Sequence, residues 1–464
     1  MKYKFLNILI FLSVLSACTK DFEEINKNPN AAEKVPATNL LVNGIVSSIN
    51  EIHGNSLNLT TTGVLAQHYA EIQYIDVDNY AFRFDFLQAN WNTIYASPLM
   101  DFQRILEDET AGTNVKAAAR VMKAYNMSIL TDLWGHVPYS EALQDGIYNP
   151  VYDSQEFIYQ DLVSELKLAV EEFDTEAEPI GEGDVIFDQD INKWIKFANS
   201  LNLRLMNRAK HKVSSYEADM NEIIASGNIM SSHDDNATLH YPGTSTNRNP
   251  IFENALTRND HAVSATLIDL MLDLEDPRVS TYAKVNINGD YVGHENGMPT
   301  PPSLLDVSPI GAIFTDDATA GLAMMTYDEV LYIIAELDMN NHDLLHEAVM
   351  ASVNRYNLAG NADFMEKVHE MHTEDPLEAI ISLKWIALFG NSPEAYSEFR
   401  RTGYPSSLRE VANSIYPEQG VPHRLPYPNL ESSLNSANHE AARAAQNLVN
   451  ETAAFGDEMW WVIE

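Results

Sequence analysis

The stretch LKWIALFGNSPEAYSEFRRTGYP, residues 383–405, predicts the end of one helix and the whole of the next. Trp385 and Phe389 lie on the apolar stripe of the first helix, so we expect both rings to pack in the core. In the second helix, Ser392 is suited to the N-cap and Pro393 to the first helical position.

Two consecutive arginines, Arg400 and Arg401, close this second helix just before Gly403. An arginine in the last turn of a helix can bond free carbonyl groups or pair with a buried acid. Both roles belong to the scaffold of the protein. We therefore expect neither arginine to contact a ligand.

The same helical signals recur along the chain. Residues 153–173 repeat apolar side chains at helical spacing and begin with Asp153 and Glu156 in the manner of a capping box. Residues 190–210 place apolar side chains along one stripe, with Asp190 as the expected N-cap. Further helices are predicted at residues 38–48, 91–106, 114–130, 264–272, 326–339 and 376–389.

Strand signals are few, and the segment between Asp276 and Gly321 is rich in glycine, proline, asparagine and aspartate. Such a composition predicts long loops, which in a compact protein are usually functional or mobile. No repeat of fixed period is visible. The sequence therefore predicts a mostly α-helical body, one domain over residues 37–464, with elaborate loops.

Acidic side chains strongly outnumber basic ones: the chain has 67 aspartates and glutamates, 29 lysines and arginines, and a net charge of −38. Such a surface repels nucleic-acid phosphates and anionic lipid headgroups, so neither is an expected partner. Hydrophobic residues make up 45% of the chain, which predicts a globular protein rather than a disordered one.

The N-terminus, MKYKFLNILIFLSVLSAC, has two early lysines, a short apolar run and small residues before Cys18, the one cysteine of the chain. The apolar run is shorter than the roughly 20 residues that span a bilayer, and it suits a secretion signal over residues 1–17. Its end resembles the lipobox of bacterial lipoproteins, in which the cysteine is acylated and becomes the first mature residue. The alternative is an ordinary signal peptide with a chance cysteine. Residues 18–36, polar and turn-rich, would then tether the folded body to the lipid.

Sequence motifs for phosphate-binding loops, serine hydrolases and zinc proteases are missing from the chain. Asp76 and Asp78 lack the glycine and the distal glutamate of an EF-hand loop. We therefore nominate no catalytic residue and no metal ligand from these motifs.

Histidines occur close together in two segments, NNHDLLHEAVM with His342 and His346, and KVHEMHTEDP with His369 and His372. Histidines four residues apart share a helix face and could hold a metal ion. The sequence does not place the two segments together, and polar helices commonly carry such residues in solvent. Both interpretations stay open, with the solvent-exposed face as the simpler one.

Several segments together resemble the SusD/RagB family of nutrient-binding outer-membrane lipoproteins, and specifically its second SusD-like subgroup. The most specific of them is the opening stretch, residues 383–405. The others keep the order and spacing of the family over nearly the whole mature chain: DFEEINKNPN, KAYNMSILTDLWGHVPYSEAL, YDSQEFIYQDLVSEL, DINKWIKFANSLNLRL, VPHRLPYPNLESSLNSANHEAA and the late Trp460-Trp461.

The resemblance implies an α/α superhelical scaffold of about four tetratricopeptide-like helix pairs with long irregular loops. It implies a protein without catalytic activity that binds a nutrient, an oligosaccharide or in some members a peptide. Such a protein delivers its ligand to a SusC-like TonB-dependent transporter and acts as its lid. The resemblance also implies a lipid-anchored location on the outer face of the outer membrane. A structural calcium is the one cofactor that it leaves open.

Six loop residues are candidate ligand contacts. Neutral sugars stack their C–H faces on aromatic rings and need a few hydrogen-bonding groups. The stretch EIQYIDVDNYAFRF and the long central loops, near which the resemblance places ligand-facing segments, contain such residues. The candidates are Tyr74, Tyr80, Phe82, Arg83, Tyr282 and Tyr291. Each aromatic ring could instead pack its own loop.

Two other functions stay open from the sequence. A surface hydrolase would cleave a polysaccharide that the present chain is expected only to bind. An assembly or structural lipoprotein would bind no small ligand. No motif in the sequence identifies the ligand itself.

Overall fold

The computed structural model of the chain describes residues 35–301, 303–448 and 454–463. The predicted signal peptide, Cys18 and residues 18–34 of the predicted tether lie outside these described residues. Within them, no helix combines the length and the apolar character of a membrane span.

Helices follow one another along the chain with short strands between them. The α-helices are α1 (Ala37–Ile52), α2 (Gly63–Leu65), α3 (Phe84–Ile94), α4 (Met100–Glu107), α5 (Thr113–Trp134), α6 (Gln155–Glu172), α7 (Ile191–Ala209), α8 (Tyr216–Ser226), α9 (Pro250–Ala255), α10 (Ala265–Asp273), α11 (Val279–Tyr282), α12 (Ala312–Thr315), α13 (Tyr327–Leu337), α14 (His342–Asn354), α15 (Ala362–Glu374), α16 (Pro376–Ala387), α17 (Ser392–Thr402), α18 (Glu431–Leu434) and α19 (Ser436–Ala445). The strands are β1 (Tyr69–Glu71), β2 (Val137–Pro138), β3 (Tyr152–Asp153), β4 (Ala237–Leu239), β5 (His261–Val263) and β6 (Leu322–Met325). Turns of π-helix cover Asn55–Thr62 and Tyr95–Leu99, and a 3-10 turn covers His233–Asp235.

Consecutive helices pack side by side over much of the chain. In the first half α5 packs on α6 and α6 on α7, and in the second half α13 packs on α14 and α15 on α16. Nearly every residue of α5 is buried, so this helix lies at the centre of the core. The strands pair antiparallel, β1 with β5, β2 with β3 and β4 with β6. The mostly helical fold predicted from the sequence is confirmed.

The start of α7 agrees with the sequence, and the start of α6 differs by one residue. Asp190 caps α7 as predicted, since its carboxylate accepts hydrogen bonds from backbone N–H groups of the first turn. Ser154 rather than Asp153 caps α6. Asp153 is engaged elsewhere, because it pairs in β3 and its carboxylate accepts hydrogen bonds from Ser140.

Two other helix predictions also differ from the structure. α17 has Ser392 as its first residue and Asn391 as its N-cap, and the backbone N–H of Ser392 is satisfied by the side chain of Asn58 at 2.8 Å. Residues 91–106 do not form one helix, because a π-helical turn that contains Pro98 separates α3 from α4. Proline has no N–H to donate and its ring clashes with the preceding turn, so the regular helical bonding is interrupted there.

A network of buried ions joins α5, α7, α13, α16 and α17. Within it Arg204 holds Glu329 through two N–H groups, each at 2.6 Å, and Arg208 binds Asp132 at 2.5 Å. The network contains five carboxylates and five cations, nearly all of them fully buried, so its formal charges cancel. Its members are Asp132, Glu329, Glu336, Glu394, Glu398, Arg204, Arg208, Lys210, Lys384 and Arg401.

Arg400 and Arg401, at the end of α17, each take one of the two roles expected for an arginine at this position. Arg401 forks onto the carboxylate of Glu336 at 2.7 and 2.8 Å and also donates to Glu398 at 2.8 Å. Arg400 donates to backbone carbonyl oxygens instead, those of Asp132 at 2.7 Å and His423 at 3.0 Å. Pairing with a buried acid and satisfying free carbonyls are therefore both confirmed, one for each residue.

Burial and the neighbouring cations act in opposite directions on the carboxylates of the network. Burial prevails at Asp132 and Glu329, where the pKa is raised, and the cations prevail at Glu336, Glu394 and Glu398. Burial alone raises the pKa of Glu336, but the positive charges of Arg401 and Lys210 outweigh it and hold the pKa at about 2. The same balance, with Arg401 and Lys384 as the main cations, lowers the pKa of Glu398 well below its ordinary value. Removing one cation leaves a buried negative charge uncompensated, which is the costly way to break such a network.

Arg401→Ala should lower the free energy of unfolding by about 3–5 kcal/mol, because it leaves Glu336 and Glu398 buried without their shared partner. Urea denaturation followed by circular dichroism measures the change. The control is Lys284→Ala, which removes an exposed ion pair with Asp316 and should cost less than about 1 kcal/mol. Equal losses in the two variants would contradict a special role for the buried network.

Candidate functional site

The short β1–β5 ladder ends at two polar side chains. Glu71 stands directly opposite His261 in the antiparallel register. Beyond this pair, the chain leaves β1 into a loop over residues 72–83, and it enters β5 from residues 254–260. The loop stays attached to that incoming segment, since its first N–H donates to the carbonyl oxygen of Asp260 at 2.8 Å.

Buried carboxylates hold the loop closed from inside. One oxygen of Glu71 accepts the backbone N–H groups of Val77 and Asp78, at 2.9 and 3.3 Å, and the other accepts the guanidinium of Arg83 at 3.0 Å. Asp78 in turn accepts the backbone N–H of Glu71 at 2.8 Å and the side-chain amide of Asn296 at 2.6 Å. The two ends of the loop are thereby fixed to each other and to the central loops.

The two buried acids are harder to ionise than ordinary carboxyls. Burial, and then the charge of Asp78, raise the pKa of Glu71 to about 8, although Arg83 acts in the opposite direction. Burial raises the pKa of Asp78 to about 7 against its hydrogen bonds with Asn296 and the backbone. Near neutral pH such a pair holds protons that exposed carboxyls would have lost. The base of the loop therefore carries less negative charge than the sequence suggests.

Arg83 joins the loop to the helix that follows it. Its guanidinium donates to the carbonyl oxygen of Tyr74 at 2.5 Å and lies 3.4 Å from the carboxylate of Asp76, in addition to its bond with Glu71. It also lies over the ring of Phe86, 5.5 Å from the ring centre. Arg83 is therefore a positioning residue of the loop that also forms part of the surface described next.

A cleft of about 480 Å³ opens where the loop 72–83 meets the segment before β5. Its walls carry the aromatic rings of Tyr74 and Phe86 beside charged and amide groups, among them Arg258. We call it the His261 cleft, because His261 lines it and also lines a smaller neighbouring cleft of about 180 Å³. A concave surface that combines rings with a few convergent polar groups is the usual form of a small-molecule site.

His261 has no hydrogen-bond partner within the part of the chain that the structure describes. The residue is 9% exposed, and both Nδ1 and Nε2 are buried and unpaired. Burial, and then the positive charge of Arg83, lower its pKa to about 4, so the imidazole is neutral at physiological pH. A neutral imidazole offers one donor and one acceptor. Because buried polar atoms are nearly always paired in native proteins, this side chain suggests a partner from outside the chain.

The loop is held in a strained backbone conformation. Tyr74 and Tyr80 both have left-handed backbone angles, with φ of 56° and 63°. This conformation costs a non-glycine residue about 1–2 kcal/mol. Such strain persists only where surrounding contacts impose it, and it concentrates at functional sites. Here the contacts are those of Glu71 and Arg83.

The structure brings two of the six predicted ligand contacts to the His261 cleft. Tyr74, which is 62% exposed, and Arg83 both line it. Tyr291 is half-buried and packs against the core. The other rings are packed inside the protein and present no free face in this conformation: Tyr80, Phe82 and Tyr282. Ligand contact itself stays a prediction for all six residues.

Residues 29–428 match the model of the second SusD-like family, which is described as "Starch-binding associating with outer membrane". The match covers most of the chain. The chain belongs to this SusD-like family. The resemblance seen in the sequence is thereby confirmed.

Solved structures of similar proteins agree with this assignment. A chitin-binding protein is 26% identical, with 92% of this chain and 98% of that chain covered and a TM-score of 0.78. A chitin-binding SusD homologue from Flavobacterium johnsoniae is 20% identical, with coverages of 91% and 99% and a TM-score of 0.79. A SusD homologue from Bacteroides thetaiotaomicron is 23% identical, with coverages of 92% and 99% and a TM-score of 0.77. A sequence search among curated proteins gives no match.

The residues of this SusD-like chain that combine with Tyr74 and Arg83 were not predicted from the sequence. His261, Glu71 and Arg258 belong to no motif, and β1 and β5 are three-residue strands far apart in sequence. Their pairing could not be foreseen from periodicity, since strands this short carry no readable alternation. The nearest signal was the aromatic stretch after Glu71, which did indicate the loop.

Other concave surfaces of the SusD-like body are less suited to a sugar. A cavity of about 600 Å³ is lined by Asp269, Asp273, Glu295 and Glu410 among others, and no aromatic ring lines it. Another, of about 370 Å³, has rings such as Phe389, but that ring is itself packed against core aromatics. The His261 cleft alone among these three combines an exposed ring with an unpaired buried imidazole.

His261→Leu should leave the free energy of unfolding unchanged or raise it by about 1–3 kcal/mol, because it removes buried polar atoms that have no partner. The stability gain of the variant over the wild type should grow as the pH falls from about 6.5 to about 4. Over this range the unfolded wild-type chain binds a proton at His261, whereas the buried imidazole of the folded chain stays neutral. Urea denaturation at pH 7.5 and pH 5 measures both effects. A clear loss of stability at pH 7.5 would contradict an unpaired imidazole.

Proposed function

We propose that this protein is a cell-surface lipoprotein that binds a neutral oligosaccharide in the His261 cleft and delivers it to a SusC-like TonB-dependent transporter. Membership of a family described as starch-binding and associated with the outer membrane supports the ligand class and the location. The chitin-binding protein of the same fold, at 26% identity, supports a glycan further. A peptide is the alternative nutrient.

The single observation that carries the proposal is the unpaired imidazole of His261 beside the exposed ring of Tyr74. A sugar hydroxyl both donates and accepts, so it matches a neutral imidazole, which offers one group of each kind. The C–H face of a sugar ring can lie on Tyr74. One ligand would thus use the aromatic surface and, once the buried imidazole turns into the cleft, satisfy the polar atoms that the fold leaves unpaired.

The charges around the cleft favour an uncharged ligand. Arg83 and Arg258 are each accompanied by carboxylates, Asp76 at 3.4 Å from the first and Asp260 at 3.5 Å from the second. The walls therefore present no concentrated positive charge to an acidic polysaccharide. Affinity can be modest: a millimolar dissociation constant corresponds to about −4 kcal/mol, which a few stacking and hydrogen-bonding contacts can supply.

Binding without cleavage is supported by the hydrogen bonding of the two buried acids at the base of the loop, Glu71, which lines the cleft, and Asp78. Both oxygens of the Glu71 carboxylate and both oxygens of the Asp78 carboxylate already accept hydrogen bonds from the protein. Glycoside hydrolysis uses a pair of carboxyl groups that flank the scissile bond. Glu71 and Asp78 are bonded to their own loop and are not placed for that reaction. Asp76 and Asp260, which also line the cleft, are paired with Arg83 and Arg258. We therefore propose no catalytic activity.

The anchor completes the proposal. Cys18 carries the lipid, residues 18–36 form the tether and residues 37–464 form the nutrient-binding domain. A tether of this kind would let the body open and close over the transporter as a lid. A stable pairing with the transporter should bury about 2,000 Å² or more.

Tyr74→Ala should weaken the binding of a glycan about tenfold, the equivalent of about 1.4 kcal/mol, because it removes the stacking surface. Isothermal titration with chito-oligosaccharides and malto-oligosaccharides measures this, and His261→Leu should weaken binding by a similar factor. The matched control is Tyr148→Ala, at a tyrosine that is 88% exposed and outside the cleft.

Other outcomes of the same titrations decide between the rival functions. New reducing ends released by the wild-type protein would favour a hydrolase. Binding of neither glycans nor peptides would favour a structural lipoprotein. Glycan binding that survives both cleft variants would place the ligand elsewhere on the protein.

Cys18→Ala should release the protein from the membrane while its helical content stays the same, because the lipid is attached to that sulfur and stable anchoring needs acyl chains. Fractionation of cells and circular dichroism of the released protein measure the two effects. A variant that still sediments with the outer membrane would contradict the anchor.

A further inference from the structure

The structure brings together the two histidine segments that the sequence left apart. His342 is the first residue of α14, and His369 lies in α15. Nε2 of His342 lies 3.1 Å from Nδ1 of His369, and the two rings stand nearly perpendicular with centres 4.2 Å apart. The pair therefore joins two helices through nitrogen atoms that face each other.

A third histidine packs against this pair. The ring of His372 lies 5.2 Å from that of His342, and its Nε2 is 2.8 Å from the carbonyl oxygen of Met339. A backbone carbonyl of this kind fixes the orientation of an imidazole, as it does around many metal sites. Nδ1 of His342 is buried with no partner in the described chain, so only the Nε2 side of this ring is paired, through His369.

We propose that Nε2 of His342 and Nδ1 of His369 bind one divalent transition-metal ion of the class that prefers imidazole, such as Zn²⁺, Ni²⁺ or Cu²⁺. Metal–nitrogen bonds to histidine are about 2.0–2.1 Å long. Two ligand nitrogens 3.1 Å apart then subtend about 100° at the ion, which lies between the angles of tetrahedral and square arrangements.

Water completes the coordination. Within the described residues, no group of three or more histidines, cysteines or acids is arranged to hold a metal, so the protein supplies two nitrogens. An open depression of about 400 Å³ is lined by His342, so solvent reaches this end of α14. Asp338 and Asp343 line this depression, and their negative charge favours a cation there.

The site is separate from the proposed glycan function. It shares no residue with the His261 cleft and joins α14 to α15, so a bound ion would link one packed helix to the next. The alternative for the same geometry is a hydrogen bond between two neutral imidazoles, with no affinity for a metal. His346, one turn along α14 from His342, offers a second alternative, in which both ligands come from one helix.

Titration of the untagged, detergent-solubilised full-length protein with ZnCl₂ and CuCl₂ tests the proposal. We expect one ion per chain, and a loss of affinity of at least about tenfold in His342→Ala and in His369→Ala. His346→Ala is the matched control and should bind as the wild type does. The electron paramagnetic resonance spectrum of bound Cu²⁺ should show coupling to two imidazole nitrogens.

Each other result overturns the proposal. Absence of saturable binding would leave a hydrogen-bonded imidazole pair. Binding that survives His369→Ala, or that is lost in His346→Ala, would favour ligands from α14 alone. Circular dichroism of each variant checks that the helices are intact, which is expected because His369 lies on the surface.

Discussion

The buried ion network constrains the whole helical body. A charge taken out of water costs several kcal/mol, and only well-placed partners offset that cost. Here α7 supplies arginines to acids on α5, α13 and α17, and α17 returns an arginine to α13. A shift of any of these helices by one turn would leave a carboxylate without its cation. The network therefore fixes which helices are neighbours and in what register, which apolar packing alone specifies less sharply.

A feature could be predicted from the sequence when it depends on residues that are close together along the chain. The helix of residues 392–402, and the two roles of its terminal arginines, depend on neighbours along the chain and were predicted correctly in type. Errors of one residue arose where a distant partner competes for a cap, as Ser140 does for Asp153. The break at Pro98 was readable from the proline itself and was missed because the apolar spacing continues through it.

The candidate site was predictable only in part, for the opposite reason. Tyr74 and Arg83 lie in a stretch whose aromatic composition predicted a ligand-facing loop, but Glu71 and His261 meet through a ladder between strands that 190 residues separate. Burial separates the other aromatic candidates from Tyr74. Tyr80, Phe82 and Tyr282 have the same composition signal as Tyr74, but their side chains lie inside the protein. The histidine pair of α14 and α15 shows the same limit, since both segments were visible and their contact was not.

Stability and the proposed recognition are therefore assigned to different parts of the chain. The helices hold the compensated charges, whereas the walls of the His261 cleft and its loop hold the uncompensated features. These are left-handed tyrosines in the loop, acids with raised pKa values in β1 and the loop, and an unpaired imidazole in β5. Each of these features costs free energy, and a loop without a fixed surrounding structure could not retain them. The packed body of the protein can retain them, because it fixes the loop at one end through β1 and at the other end through α3. Structures only 20–26% identical share this fold closely, as expected where the fold depends on packed helices and their buried charges.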